Sequence, residues 1–128
     1  MTGSWSDADR MRVERRVREA ARLPGVEAVG AAGHTSFSVG GKRFAWLLVD
    51  HHGDGRLALH VKAPPGVQEA LMEERGCFSR PAYLGNRGWV AVDLAPGAGA
   101  DWDRVEHLVE QAWRMSAGAR LRDQRPEA

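Results

Sequence analysis

The sequence predicts an α+β domain in two layers, an antiparallel sheet of about five strands covered by two to three helices. Two observations predict it. Between Thr35 and Val61, apolar residues recur at every second position: Phe37 and Val39, then Phe44, Trp46 and Leu48, then Leu57, Leu59 and Val61. That period marks strands with one buried face. After Asp101 the spacing changes, and Trp102, Val105, Leu108, Val109, Ala112 and Trp113 fall on one stripe of a helix. The 128 residues suit a single core.

Taken in order, Ser6 is placed to cap a helix from Asp7, with Asp7 and Asp9 at its positive end. Met11, Val13, Val17, Ala20 and Ala21 form its apolar stripe, and Pro24-Gly25 ends it. Val26 to Val29 reads as a short strand or an extended entry, and Gly30 to Gly33 as a loop. Gly40-Gly41 and His52-Gly53-Asp54-Gly55 separate the strands of a meander, where glycine and aspartate supply turn geometry. Pro64-Pro65 blocks the ladder and starts a second helix, from Gly66 or Val67 to Arg75, closed by Gly76. Pro81 to Leu84 reads as an edge-like segment and Gly85 to Gly88 as a turn. Trp89 to Leu94 is a strand in which Trp89, Ala91 and Asp93 oppose Val90, Val92 and Leu94. The last helix starts at an Asp101 cap and ends around Ser116 to Gly118. The expected domain is 1–118, followed by a flexible tail over 119–128.

Composition excludes some classes. No run reaches the roughly 18–20 apolar residues of a membrane span, and no apolar signal core follows the N-terminus, so a cytoplasmic protein without a membrane partner is expected. One cysteine, Cys77, excludes an internal disulfide and multi-cysteine metal patterns. Net charge is +1, but its distribution is uneven: six arginines fall between Arg10 and Arg22, and the only lysines are Lys42 and Lys62.

Five segments carry a resemblance. Leu23-Pro24-Gly25-Val26 closes the first helix, and Phe37-Ser38-Val39-Gly40-Gly41-Lys42-Arg43-Phe44-Ala45 forms the first hairpin. Gly76-Cys77-Phe78 precedes Pro81-Ala82-Tyr83-Leu84, and Gly88-Trp89-Val90-Ala91-Val92 precedes the closing helix. Their order and spacing, from about Asp7 to Met115, resemble the YjbR/MmcQ family of small bacterial proteins. The resemblance implies a fold similar to the frataxin-like CyaY group. It also implies a DNA-binding label that rests on a "double wing" arrangement, with no agreed cofactor or catalytic residue. Iron handling is not implied, because Asp7, Asp9, Glu14 and Glu19 are interrupted by arginines and form no acidic ridge.

The expected nucleic-acid surface comprises Lys42, Arg43, Lys62, Arg80, Tyr83, Asn86, Arg87 and Trp89, at hairpin turns and strand ends. Basic tips would grip phosphates of double-stranded DNA while Tyr83 or Trp89 stacks on a base or enters a groove. The competing reading makes Lys42 and Arg43 ordinary turn residues, Trp89 and Phe44 core, and Arg80 and Arg87 solvated. The alternative function is a protein-interaction or self-associating domain, a homodimer or a partner complex, using the edge around Pro81–Leu84.

No enzyme, metal or cofactor is expected. Adjacent His51 and His52 in Asp50-His51-His52-Gly53-Asp54 would point to opposite faces of a strand. Cys77 follows a helix end, where nothing lowers a thiol pKa.

Overall fold

The computed structural model describes residues 5–31, 34–50, 53–74 and 76–125. It is an α+β fold in which one six-stranded antiparallel sheet carries helices on one face. The strands are β1 (Val26–Ala31), β2 (His34–Val39), β3 (Lys42–Val49), β4 (Leu57–Val61), β5 (Phe78–Ser79) and β6 (Val90–Asp93), in the order β1-β2-β3-β4-β6-β5. The helices are α1 (Asp7–Ala20), α2 (Val67–Glu74), α3 (Trp102–Ser116) and α4 (Ala119–Asp123).

The first helix forms where its cap predicts. The Ser6 hydroxyl accepts from the Asp9 backbone N–H and the Asp9 carboxylate accepts from that of Ser6, which satisfies two of the donors a helix start leaves open. Trp5, just before the cap, is tied to the fold: its Nε1 donates to the Gly55 carbonyl at 3.2 Å.

The core lies between α1, α3 and the sheet. Val13 and Val17 of α1 meet Val105, Val109 and Trp113 of α3 above Phe37, Leu47, Leu59 and Val92. The Trp113 indole N–H donates to the Pro24 carbonyl at 2.9 Å. The Pro24-Gly25 turn is therefore held by the core as well as by local geometry. Gly25 has φ +73°, and a Cβ there would lie 2.7 Å from Leu121.

Alternation fails at one informative place. Phe44, Trp46 and Leu48 were expected on one face, but β2 and β3 slip register between Phe37 and Ser38, so Phe37 opposes Ala45 while Ser38 opposes Arg43. Phe44 is the extra residue of a β-bulge. It turns inward beside Ala45 and Leu47, both core residues. Trp46 and Leu48 face the opposite side, and Arg43 joins them there. The hairpin before the bulge has the expected Gly40-Gly41 tip, with φ +57° and +78°, the left-handed pair that matches strand twist.

Three other expectations need correction. Val26–Ala31 is a full strand, so Gly30 and Ala31 belong to β1 rather than to a loop. The strand expected around Pro81–Leu84 lies earlier, at Phe78–Ser79, and Leu84–Arg87 is a 3-10 turn. Pro81 and the local turn remove that segment from the ladder. The tail contains a helix, α4, because Leu121 packs on the core and Arg122 Nη1 donates to the Ala117 carbonyl at 2.6 Å. The expected end of α2 at Arg75, the Ala32-Gly33 part of the predicted loop and the His51-His52 pair lie outside the described residues.

The tail is also held by charge. Glu110 accepts from Arg114 Nη2 at 2.9 Å and from Arg125 Nε at 2.9 Å. Burial alone would raise the Glu110 carboxyl, but the bonds from Arg125 and Arg114 outweigh it and hold its pKa below the ordinary 4.5. A depressed folded-state pKa means a contribution present in full above the unfolded value and lost as pH falls through the folded one. The tail contact is thus expected to weaken only below the ordinary carboxylate range. Glu110→Gln should abolish that pH dependence, read from the Arg125 amide in an acid titration by NMR.

Candidate functional site

The sheet face away from the core is uncovered over much of its area. Residues opposed across the ladder run in rows along it. One row crosses all six strands as Val29, Ser36, Trp46, His60, Ala91 and Ser79. The next contains Ala31, His34, Leu48, Ala58 and Asp93. Ala58 and Ala91 are short where their neighbours are long, so the floor is hollow there.

The chain after β5 supplies a wall. Arg80 to Leu84 passes over the hollow and closes a groove of about 410 Å³ floored by Trp46, Leu48, Ala58, His60 and Ala91. Arg56 and Asp54 stand at its margin. One buried side chain holds the wall: Gln68 Nε2 on α2 donates to the Gly85 carbonyl at 2.9 Å and to the Trp89 carbonyl at 2.7 Å. Gln68→Ala leaves both acceptors without that donor. It is expected to cost about 2 kcal/mol in urea denaturation, with faster amide exchange across Arg80–Gly88.

The predicted residues separate into three groups. Arg80 and Tyr83 line the groove, and Tyr83 is 90% exposed. Arg43 does not line the groove but stacks on its floor residue Trp46, its guanidinium carbon 4.7 Å from the ring centroid. Such a contact orients the cation and leaves its edge free to donate. Lys42 is exposed beside Arg43 at the hairpin tip, and half-buried Lys62 continues the face set by Ala58 and His60.

Asn86 and Arg87 are exposed on the 3-10 turn, but neither lines the groove. Trp89 is only 5% exposed. Its place in the alternation puts it on this face, yet it is buried, its backbone N–H bonded to the Leu84 carbonyl at 3.2 Å. It braces the wall and offers no ring to solvent.

Sequence reasoning missed Trp46, His60 and Arg56. His60 was legible, because it interrupts Leu57, Leu59 and Val61 at the polar phase of β4. Trp46 was hidden by the bulge, since it shares its phase with Phe44. His34 meets the Trp46 ring edge-on, with centroids 5.9 Å apart.

The ion pairs among the described residues lie on the helical side, although Arg15, Arg16, Arg18 and Arg22 there have no carboxylate within ion-pair distance. On the helical side, Arg10 bonds Glu14, Arg12 bonds Asp9, Arg104 bonds Glu74, and both Arg114 and Arg125 bond Glu110. Among the described residues, no carboxylate lies within ion-pair distance of Arg43, Arg56 or Arg80, although Arg56 Nη2 reaches the Ser79 hydroxyl at 3.4 Å. The result is a mainly apolar, ring-bearing groove with Arg56, Arg80 and Asp54 at its margin and Arg43 stacked on Trp46.

Other clusters are less organised for chemistry. Burial pushes the Cys77 thiol above its ordinary value, which keeps it protonated. Among the described residues there is no group of three or more His, Cys, Asp or Glu placed to hold a metal ion. No helix there is long and apolar enough to cross a membrane.

A family model described as YjbR matches residues 21–115. Among curated proteins, none matches the chain. The crystal structure of Deinococcus radiodurans protein DR2400, described with a DUF419 domain, is similar in fold with a TM-score of 0.66. It shares 18% identity, over 84% of this chain and 83% of that one.

Proposed function

The chain belongs to the YjbR family, and from that premise we propose that it binds DNA weakly, through phosphate contacts from the open sheet face and its hairpin tip. The observation that carries this reading is the set Arg43, Arg56 and Arg80, free of carboxylate partners among the described residues, around a groove that presents Trp46 and exposed Tyr83. Guanidinium groups meet phosphate oxygens in pairs, and rings supply surface for bases. With a net charge of only +1, attraction must come from a local basic patch, which this face supplies.

Binding is expected to fall with salt. Each phosphate neutralised contributes about 0.9 to the slope of log affinity against log salt on duplex DNA. Arg43, Arg80 and Lys42 acting together predict a slope of roughly −2 to −3, measured by fluorescence anisotropy with a labelled duplex. The Lys42→Ala, Arg43→Ala double variant should flatten it by about 2. Unchanged affinity and slope in that variant would remove the hairpin tip from the interface.

A second reading has one observation behind it. β1 ends the sheet with an unpaired edge, and Val29 on it is 62% exposed. Such an edge can pair with another copy of itself. Light scattering after size exclusion tests this, and Val29→Lys should shift any dimer to monomer.

A further inference from the structure

Resting on the DNA reading above, we infer that the groove takes an unpaired base, and that the preferred ligand is single-stranded DNA. The shape argues for it. A duplex keeps its bases stacked inside, so a protein that reads it inserts a helix or a ribbon into a groove about 12 Å wide. Here α1 and α3 pack on the opposite side of the sheet, and the Trp46 ring lies in the floor of a groove. A concave site of about 410 Å³ falls in the range that encloses a small planar group.

Its chemistry fits the same occupant. The floor of Trp46, Leu48, Ala58 and Ala91 is apolar apart from His60, and Tyr83 stands at the open side with its ring almost wholly in water. A base between the Trp46 floor and Tyr83 would cover both rings. The neighbouring phosphates would then meet Arg80 and Arg56 at the margin and Arg43 beside Trp46. The β-bulge supports the arrangement independently. With Phe44 in regular alternation, Arg43 and Trp46 would fall on opposite faces; the bulge puts them on one face while Phe44 stays in the core.

The test is fluorescence anisotropy with labelled oligothymidylate, a blunt duplex of the same length and oligouridylate, at one fixed low salt. The expected result is tightest binding to oligothymidylate. Tyr83→Ala should weaken the single strand roughly tenfold and the duplex far less. Trp46→Leu should do the same and also remove the tryptophan quenching that accompanies binding. Tyr83 is exposed, so its variant should keep the wild-type melting temperature and separate stacking from folding. Duplex bound as tightly as the single strand, with no effect of Tyr83→Ala, overturns the inference and leaves the DNA reading standing. Tighter binding to oligouridylate overturns the assignment to DNA. Binding to none of the three defeats both readings.

Discussion

Reversing Arg43 and Arg80 together to glutamate is expected to weaken DNA binding about a hundredfold at low salt, and to leave the fold intact. Two phosphate contacts are lost and two repulsions replace them, at positions where no described carboxylate already screens the charge. Both side chains are exposed. The stability change should therefore stay within about 1 kcal/mol, mostly the lost contact between Arg43 and Trp46. The same reversal at Arg15 and Arg22, exposed on and just after α1, is the matched control. It changes net charge equally but lies on the helical layer, so only a small and salt-screened effect should follow. If the α1 variant lost binding and the sheet-face variant did not, the arginine-rich helix would be the polyanion site.

The largest effect on stability should come from Trp113→Ala. The indole is fully buried where α1, α3 and the sheet meet, and it bonds the carbonyl of Pro24. Truncating a buried tryptophan costs about 3–5 kcal/mol, and the Pro24 carbonyl loses its donor besides. A domain of this kind has about 5–15 kcal/mol in total. Urea denaturation should thus show most of the stability gone, with the midpoint displaced far below wild type. A loss under about 1 kcal/mol would mean that the helical layer is not anchored through this residue.

These two positions show what the sequence discloses and what it hides. Trp113 was legible as core, because five other apolar residues share its helical stripe. The inward phases of β2 and β4 were equally plain, since each alternates without interruption, whereas the alternation of β6 left its buried face open. Arg43 was legible as a basic turn residue, but its partnership with Trp46 was not. That depends on one slipped residue in a ladder, and a bulge leaves no mark in a pattern of two. Trp89 shows the converse. Its alternation left its face open, and its burial goes with a turn that Gln68 bonds from α2, 21 residues away in sequence. Long-range side-chain bonds of this kind have no local signature. The short α4 was missed for a similar reason, because its stability comes from Leu121 on the core and from Glu110 rather than from helix propensity.

The family membership and the shared fold with DR2400 leave the ligand to be settled by the surface itself. Chemical-shift mapping during a titration with short oligothymidylate is the most direct measurement. Perturbed amides are expected at Ser36, Arg43, Trp46 and His60, at Arg80 and along Ala82–Leu84, with α1 and α3 unmoved. Perturbations gathered on α1, or on the β1 edge around Val29, would contradict binding at the open sheet face.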